Sequence, residues 1–431
     1  MSEATAISGT DRPLSRSFEL LACGTGLVLV MWLLGRVPSW RAELGTFQAL
    51  LAAGFVFYAL ALARLGRRPE IPQATAIVLA VAVASRLALL PVTPSLSDDV
   101  YRYVWEGRVT AQGENPYALP PSAPALAPLR DREIYPRLNH AELSTIYPPL
   151  AMAGFAAVAA LSPTVLAMKL WIVLHDLALT VLLVWWLRGR GLGAAMSIAY
   201  AWCPLVLVEF AGSGHNDPTA MLWLVAAWIA AERRPLVSAC CLAAGVMTKL
   251  APLAALPSLL VVWPWRARGL ALSLLIAGLV AFAFAASGPS SGLWAFARTW
   301  RNNDLLFTYL AMALRSDLAA RWLAAGIVTV VAVALSLRGA APAEATRATL
   351  RTGLLVSPVA HPWYFGWAML LEPLGPSPVW GLLSLTCVLS YGVLRPPAEG
   401  GAFHLPLAWR WVEYGAPLLL GSALRWAGRH R

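Results

Sequence analysis

Thr164–Leu187 reads TVLAMKLWIVLHDLALTVLLVWWL, a run in which Lys169 and Asp176 are the only formal charges. At about 1.5 Å of rise per helical residue, such a run crosses the ~30 Å hydrocarbon layer of a bilayer. The pattern recurs on both sides of it. Hydrophobic segments lie near 19–36, 45–63, 73–91, 148–161, 164–187, 192–210, 217–231, 236–263, 269–287, 319–337, 347–371 (interrupted), 377–394 and 408–424. Of the 431 residues, 59% are hydrophobic and 13% charged, and mean hydropathy is +0.64. Soluble domains carry roughly 25% charged residues, so a water-soluble enzyme of one to three domains is excluded. The chain reads as an all-α integral membrane protein, with residues 1–431 forming a single transmembrane domain.

The charges give an orientation. The net charge is +11, and Lys169 and Lys249 are the only lysines. The arginines sit in small groups between apolar runs, as loop anchors do, and not in the basic patches that bind nucleic acid. Arg64, Arg67 and Arg68 follow the second span, which places the N-terminus inside and residues 92–147 outside. This loop holds seven acids (Asp98, Asp99, Glu106, Glu114, Asp131, Glu133, Glu142) against five arginines in an otherwise basic chain. Arg188 and Arg190 fall on the inner side if 148–161, which ends at Ser162-Pro163, is a re-entrant or half helix buried in protein. The run 236–263 is too long for one straight span and is broken by Pro252 and Pro257. Gly214-His215-Asn216-Asp217 and a second loop, 288–318, then share the outer face with Asp98 and Asp99. The 20 Trp suit interfacial belts, and the five Cys lie in apolar runs without disulfide or metal spacing. The polar stretch Met1–Glu19 has no cleavable signal pattern, so the first span is expected to stay.

Several motifs interrupt the apolar pattern. Ser97-Asp98-Asp99-Val100-Tyr101-Arg102-Tyr103-Val104-Trp105-Glu106 predicts a helix capped by Ser97, lying on the membrane surface with its rings in the headgroups. Its acids serve equally well as a helix start with i,i+4 pairs or as a carboxylate taking a proton from a hydroxyl. Gly113-Glu114-Asn115-Pro116-Tyr117 and the following prolines read as an extended connector, and Tyr147-Pro148-Pro149 as a rigid lead into the next helix. Asp217 as N-cap before Pro218 explains those two residues but not His215 and Asn216 beside them. Lys249, deep in an apolar run, is a functional-site candidate suited to a phosphate, with snorkelling as the alternative. His175-Asp176 reads as a helix–helix hydrogen bond. Arg301-Asn302-Asn303-Asp304 reads as a solvated turn whose arginine could meet phosphate, and Ser357–Tyr364 as a cavity lining. No Walker loop, dinucleotide fingerprint or paired metal spacing is present in the sequence.

In order and spacing, Asp98-Asp99, Tyr101-Arg102-Tyr103, Asn115-Pro116-Tyr117, Tyr147-Pro148-Pro149, Gly214-His215-Asn216-Asp217, Lys249 with its following prolines, and His361-Pro362-Trp363-Tyr364 resemble a GT-C glycosyltransferase. The likeness is to bacterial family 87-like and polyprenol-phosphomannose-dependent mannosyltransferases, and it spans roughly residues 70–370. It implies a GT-C type multi-span helical bundle in the bacterial inner membrane, with its active site on the extracytoplasmic face. Such an enzyme passes a hexose, here preferably mannose, from a polyprenyl-phosphate donor to a hydroxyl of a glycan or lipid acceptor, with inversion. The resemblance makes Asp99 the general base and Asp98 its helper. It places Tyr101, Arg102, Asn115, Tyr117, Tyr147, His215, Asn216, Asp217, Lys249, Arg301, His361, Trp363 and Tyr364 around the substrates, with Arg102, Lys249 and Arg301 as phosphate candidates. It calls for no cofactor, since the leaving phosphate is already anionic, although a divalent cation could assist. Beyond about residue 375 no correspondence is visible. The main alternative, a secondary transporter or lipid flippase, predicts internal repeats with paired broken helices, and the halves share no motif. A relative using a pyrophosphate-linked donor calls for a larger outside domain than this loop, and a scaffold would not need so many polar residues at span ends.

Overall fold

Several proline-free apolar runs become long helices in this chain, and most proline-bearing runs break or begin a helix at the proline, although the helix Leu407–Arg429 continues through Pro417. The computed structural model describes residues 13–67, 71, 73–394 and 405–429. Residues 1–12 of the polar N-terminus and the topogenic Arg68 lie outside the described residues. In chain order the helices are α1 (Pro13–Leu34), α2 (Leu44–Arg67), α3 (Ala74–Leu89), α4 (Asp99–Ala111), α5 (Pro149–Leu161), α6 (Val165–Gly189), α7 (Ile198–Ala201), α8 (Pro204–Val206), α9 (Asp217–Ala230) and α10 (Pro235–Thr248). They continue as α11 (Leu256–Val262), α12 (Trp265–Ala285), α13 (Gly292–Thr299), α14 (Leu305–Leu314), α15 (Asp317–Leu337), α16 (Pro342–Val356), α17 (Phe365–Met369), α18 (Pro378–Thr386) and α19 (Leu407–Arg429). Among the described residues there is no strand, and the fold class is the all-helical membrane bundle expected from the sequence.

Among the described residues, five helical segments, Arg16–Leu34, Leu44–Gly66, Val165–Gly189, Trp265–Ala285 and Asp317–Leu337, are long and apolar enough to cross a membrane. The run 192–210 is not one straight span. Ala194–Ala201 and Pro204–Gly212 meet at 58°, because Pro204 has no N–H to continue the ladder. The second arm runs on as a π turn over Leu207–Gly212. The short α5 and the break between α10 and α11, with a 3-10 turn over Ala251–Ala255, follow the proline positions as expected.

Two local expectations are corrected. The cap of α4 is Asp98, not Ser97. Asp99 is the first helical residue, and Ser97 Oγ accepts its N–H at 3.3 Å. Nor does α4 lie on the surface: Tyr101, Tyr103, Trp105 and Glu106 are all buried. Helix α5 closes over one side, where a Cβ on Gly107 would stand 2.3 Å from the Phe155 carbonyl oxygen, so only glycine admits this approach. The loop after α4 closes over another, its Asn139, His140 and Leu143 carbonyls accepting from the Arg102 guanidinium. The helix–helix hydrogen bond expected at His175-Asp176 is made by Asp176, which carries a buried ion pair to Arg86 of α3 at 2.7 Å and accepts from the Tyr200 hydroxyl of α7 at 2.7 Å, while His175 meets the carbonyl and the ring of Trp171 in its own helix. Lys169 donates to the carbonyls of Leu89 and Val92, fixing the end of α3 and the strap leading to Asp98.

Candidate active site

Four chain segments meet at the start of α4. The first is α4 itself, whose Asp98 makes no capping bond with its side chain, so the carboxylate pair is not consumed in starting the helix. The second is the π turn and the loop to α9, where Gly214 adopts φ +79° and a Cβ would press within 3.1 Å of Val100 and Lys169. That turn swings His215 against α4. Its ring is fully buried, with Nδ1 3.5 Å from Asp99 Oδ2 and Nε2 3.5 Å from Glu209 Oε2.

The third segment is the break after α10. Lys249 has extended backbone there, and its ammonium donates to Asp217 Oδ1 at 2.6 Å. Asp217 is not the N-cap of α9: Asn216 holds that position, and the Asp217 carboxylate instead takes Lys249 and the Trp367 indole N–H, also at 2.6 Å. The fourth is the stretch from Ser357 to Tyr364, where Pro358 and Pro362 keep the chain out of helix between α16 and α17. Trp363 lies between two imidazoles, stacked at 3.8 Å on His215 and at 4.2 Å on His361. His361 in turn meets the Asn302 amide at 2.5 Å, across a bridge that pairs Asn302 with Val359. The Lys249 ammonium sits 5.1 Å over the Tyr364 ring.

Two cavities flank this cluster. One, about 250 Å³, is polar at its end and is lined by Asp98, Asp99, Arg102, Asn139, Asn302 and His361, with Trp300 and Tyr391 as aromatic walls. The other, about 580 Å³, begins at Lys249 and Asn216 and runs into an apolar channel of Leu253, Pro257, Val328, Ala332, Leu350 and Leu354. Asp99, Tyr147, Trp363 and Tyr364 line both. The Asp99 side chain keeps 24% of its surface exposed while His215 keeps none, so the carboxylate faces the cavities and the ring backs it.

The electrostatics separate the two carboxylates. Burial alone would raise Asp99, but the His215 ring beside it, helped by His361 and Lys249, holds it below the usual carboxylate range. Burial and then the charge of Asp99 push Asp98 above that range, against a pull from Arg41. Burial drives His361 down to about 4, which leaves it uncharged at neutral pH and able to donate or accept without adding charge. Neighbouring carboxyls pushed apart in this way suit different tasks, the lower one being ionised and ready to take a proton.

Residues 20–268 match the family described as "MptA_B_family: Alpha-(1->6)-mannopyranosyltransferase, N-terminal domain". The matched region is more than half of the chain and contains the carboxylate pair, His215, Asp217 and Lys249. The chain belongs to this mannosyltransferase family. It is therefore a glycosyltransferase handling mannose, built as an integral membrane protein. No curated protein and no solved structure matches it.

In this mannosyltransferase the residues expected from sequence divide into two groups. Asp98, Asp99, Tyr147, His215, Asn216, Asp217, Lys249, His361, Trp363 and Tyr364 gather at the cavities or directly behind their walls. The others serve the scaffold around them. Tyr101 is buried and donates to the Pro94 carbonyl at 3.1 Å. Asn115 forms a turn by accepting the Tyr117 N–H, and Tyr117 donates to the Tyr147 carbonyl. Arg102 touches the polar cavity, but its guanidinium is occupied by Glu106 at 2.6 Å and by loop carbonyls. Arg301 pairs with Asp304, Asp317 and Thr308, and Arg410 joins Asp304, so the Arg301–Asp304 stretch is a cross-linked corner and not a solvated turn. Glu209, Trp300, Trp367 and Tyr391, which line or back the site, escaped the sequence reading, and Asn302 was read only as part of a solvated turn. Glu209 had a signal, since a carboxylate inside an apolar run is itself a flag.

Proposed function

We propose that this mannosyltransferase takes mannose from a polyprenyl-phosphate donor and attaches it to an acceptor hydroxyl with inversion, Asp99 acting as general base. The observation that carries this reading is the place of Asp99 in the wall shared by an apolar cavity headed by Lys249 and a polar one walled by aromatic rings. The prenyl chain suits the apolar channel and its phosphate the Lys249 ammonium; the acceptor suits the polar cavity. The acceptor oxygen then attacks C1 from one side. The C1–O bond to phosphate breaks on the other, its electron pair leaving with the phosphate, and the hydroxyl proton passes to Asp99. Nucleophile and leaving group enter from opposite cavities, so the anomeric configuration inverts. His361, neutral and held by Asn302, lies where it can hydrogen-bond the sugar or the acceptor. Charge building on the phosphate is met by Lys249; no resident cofactor is called for, and a divalent cation can assist. The resemblance and the acid-rich loop carrying the site favour an extracytoplasmic reaction at a bacterial inner membrane.

Purified enzyme in vesicles given radiolabelled polyprenyl-phosphate mannose is expected to release labelled glycan or glycolipid. Labelling from a nucleotide-linked mannose alone, and none from the lipid-linked donor, would overturn the reading.

A further inference from the structure

The Glu209 carboxylate is 1% exposed and belongs to the π turn over Leu207–Gly212, a distortion that recurs at functional sites because it redirects side chains. Its Oε1 accepts the Tyr391 hydroxyl at 2.8 Å. Its Oε2 has no hydrogen-bond partner and faces His215 Nε2 at 3.5 Å. The opposite edge of the same ring faces Asp99 Oδ2 at 3.5 Å, and both of its nitrogens otherwise lack partners. Trp363 covers one face of the ring. A buried carboxylate with an open oxygen is costly unless that oxygen is used, and the ring this open oxygen faces is the one that backs Asp99.

We propose that Glu209, steadied by Tyr391, is a positioning residue that anchors the Nε2 edge of His215 and so fixes its Nδ1 edge against Asp99. The inference rests on the reading of Asp99 as the base. A proton lying between Nε2 and Oε2 can sit on either atom, and with either placement Nδ1 can present its N–H to Asp99 Oδ2. That leaves Oδ1 free for the acceptor hydroxyl. Without the Glu209 oxygen, the ring is held on that side only by stacking, and the Asp99 carboxylate loses its fixed direction. Asp217 and Ser213 also face Glu209, and Cys387 and Asp99 face Tyr391; the carboxylate set against the Nε2 edge is that of Glu209, at 3.5 Å.

The test is a set of steady-state measurements on the full-length enzyme in vesicles, using Glu209→Gln, His215→Gln and the double variant. Glu209→Gln is expected to lower kcat about tenfold or more while both KM values stay within about twofold, since it disturbs alignment and not substrate contact. In the His215→Gln background the same change is expected to alter kcat less than about twofold, because the ring through which Glu209 acts is gone. If Glu209→Gln does not fold, Tyr391→Phe replaces it, with a kcat loss that again vanishes without His215. Unchanged kcat, or a loss equally large in both backgrounds, overturns the inference while leaving Asp99 as base. A wild-type enzyme inactive with the lipid-linked donor removes the reading and this inference together.

Discussion

Replacing Asp99 by Asn is expected to lower kcat about a thousandfold, within the range that general-base catalysis supplies. Expression, thermal stability and donor binding should stay close to wild type. The amide has the shape of the carboxylate but cannot accept the acceptor's proton. The fold does not depend on this charge: Asp98 holds the cap position of α4, and the Asp99 side chain stays partly open to the cavities. Its polar neighbours have other anchors, since Lys249 holds Asp217 and Asn302 holds His361. The same change at Asp98 should be milder, because burial and the charge of Asp99 push the Asp98 carboxyl toward its protonated form. Rates and donor-binding isotherms on the two variants decide between them. Equal losses at both positions would contradict the assignment of Asp99 as the base.

The second large effect is expected at Lys249. Lys249→Met removes the cation facing the apolar cavity and also leaves Asp217, a fully buried carboxylate, with only the Trp367 indole as partner. Breaking a fully buried pair from one side costs about 3–5 kcal/mol, and somewhat less where one partner, as here, stays partly exposed, so the variant should melt lower as well as losing about a hundredfold or more in kcat/KM. The two losses can be separated. Lys249→Met combined with Asp217→Asn removes the stranded charge, and thermal stability should recover much of the way. Activity should not, because the phosphate still lacks its counter-charge. Recovery of both would make Lys249 a structural residue only.

The helical bundle was legible in the sequence because bilayer thickness and proline chemistry both write themselves into run length. Five long clean runs became candidate spans, the chain left regular helix at the prolines of the 236–263 and 357–364 stretches as expected, and Pro417 was carried inside an unbroken helix. Pro204 bent a run that length alone presents as one span. The centre of the candidate site was legible for other reasons: His215 and Lys249 are polar groups in surroundings where polarity is expensive, and Asp99 was singled out by the family resemblance. What sequence could not give was the direction of each side chain. Arg102 and Arg301 are correct residue types for phosphate, yet each is turned toward a carboxylate of its own chain. Helix α4 carries the aromatic and charged pattern of an interfacial helix, and it is buried because α5 and the loop through residue 143 fold over it. Tyr391 and Trp367 come from regions without recognisable motifs, and only the packing of α9, α17 and the stretch after α18 brings them to the centre.

The central claim is that donor and acceptor reach Asp99 from opposite cavities. The stereochemistry of a single transfer tests it most directly. Purified enzyme would be given a polyprenyl-phosphate mannose of defined β configuration, and the C1–H1 coupling of the new linkage read by NMR. An α-linked product is the predicted result, with the displaced phosphate leaving past Lys249. A β-linked product would mean that the acceptor arrived from the side the phosphate left, and would contradict the two-cavity account.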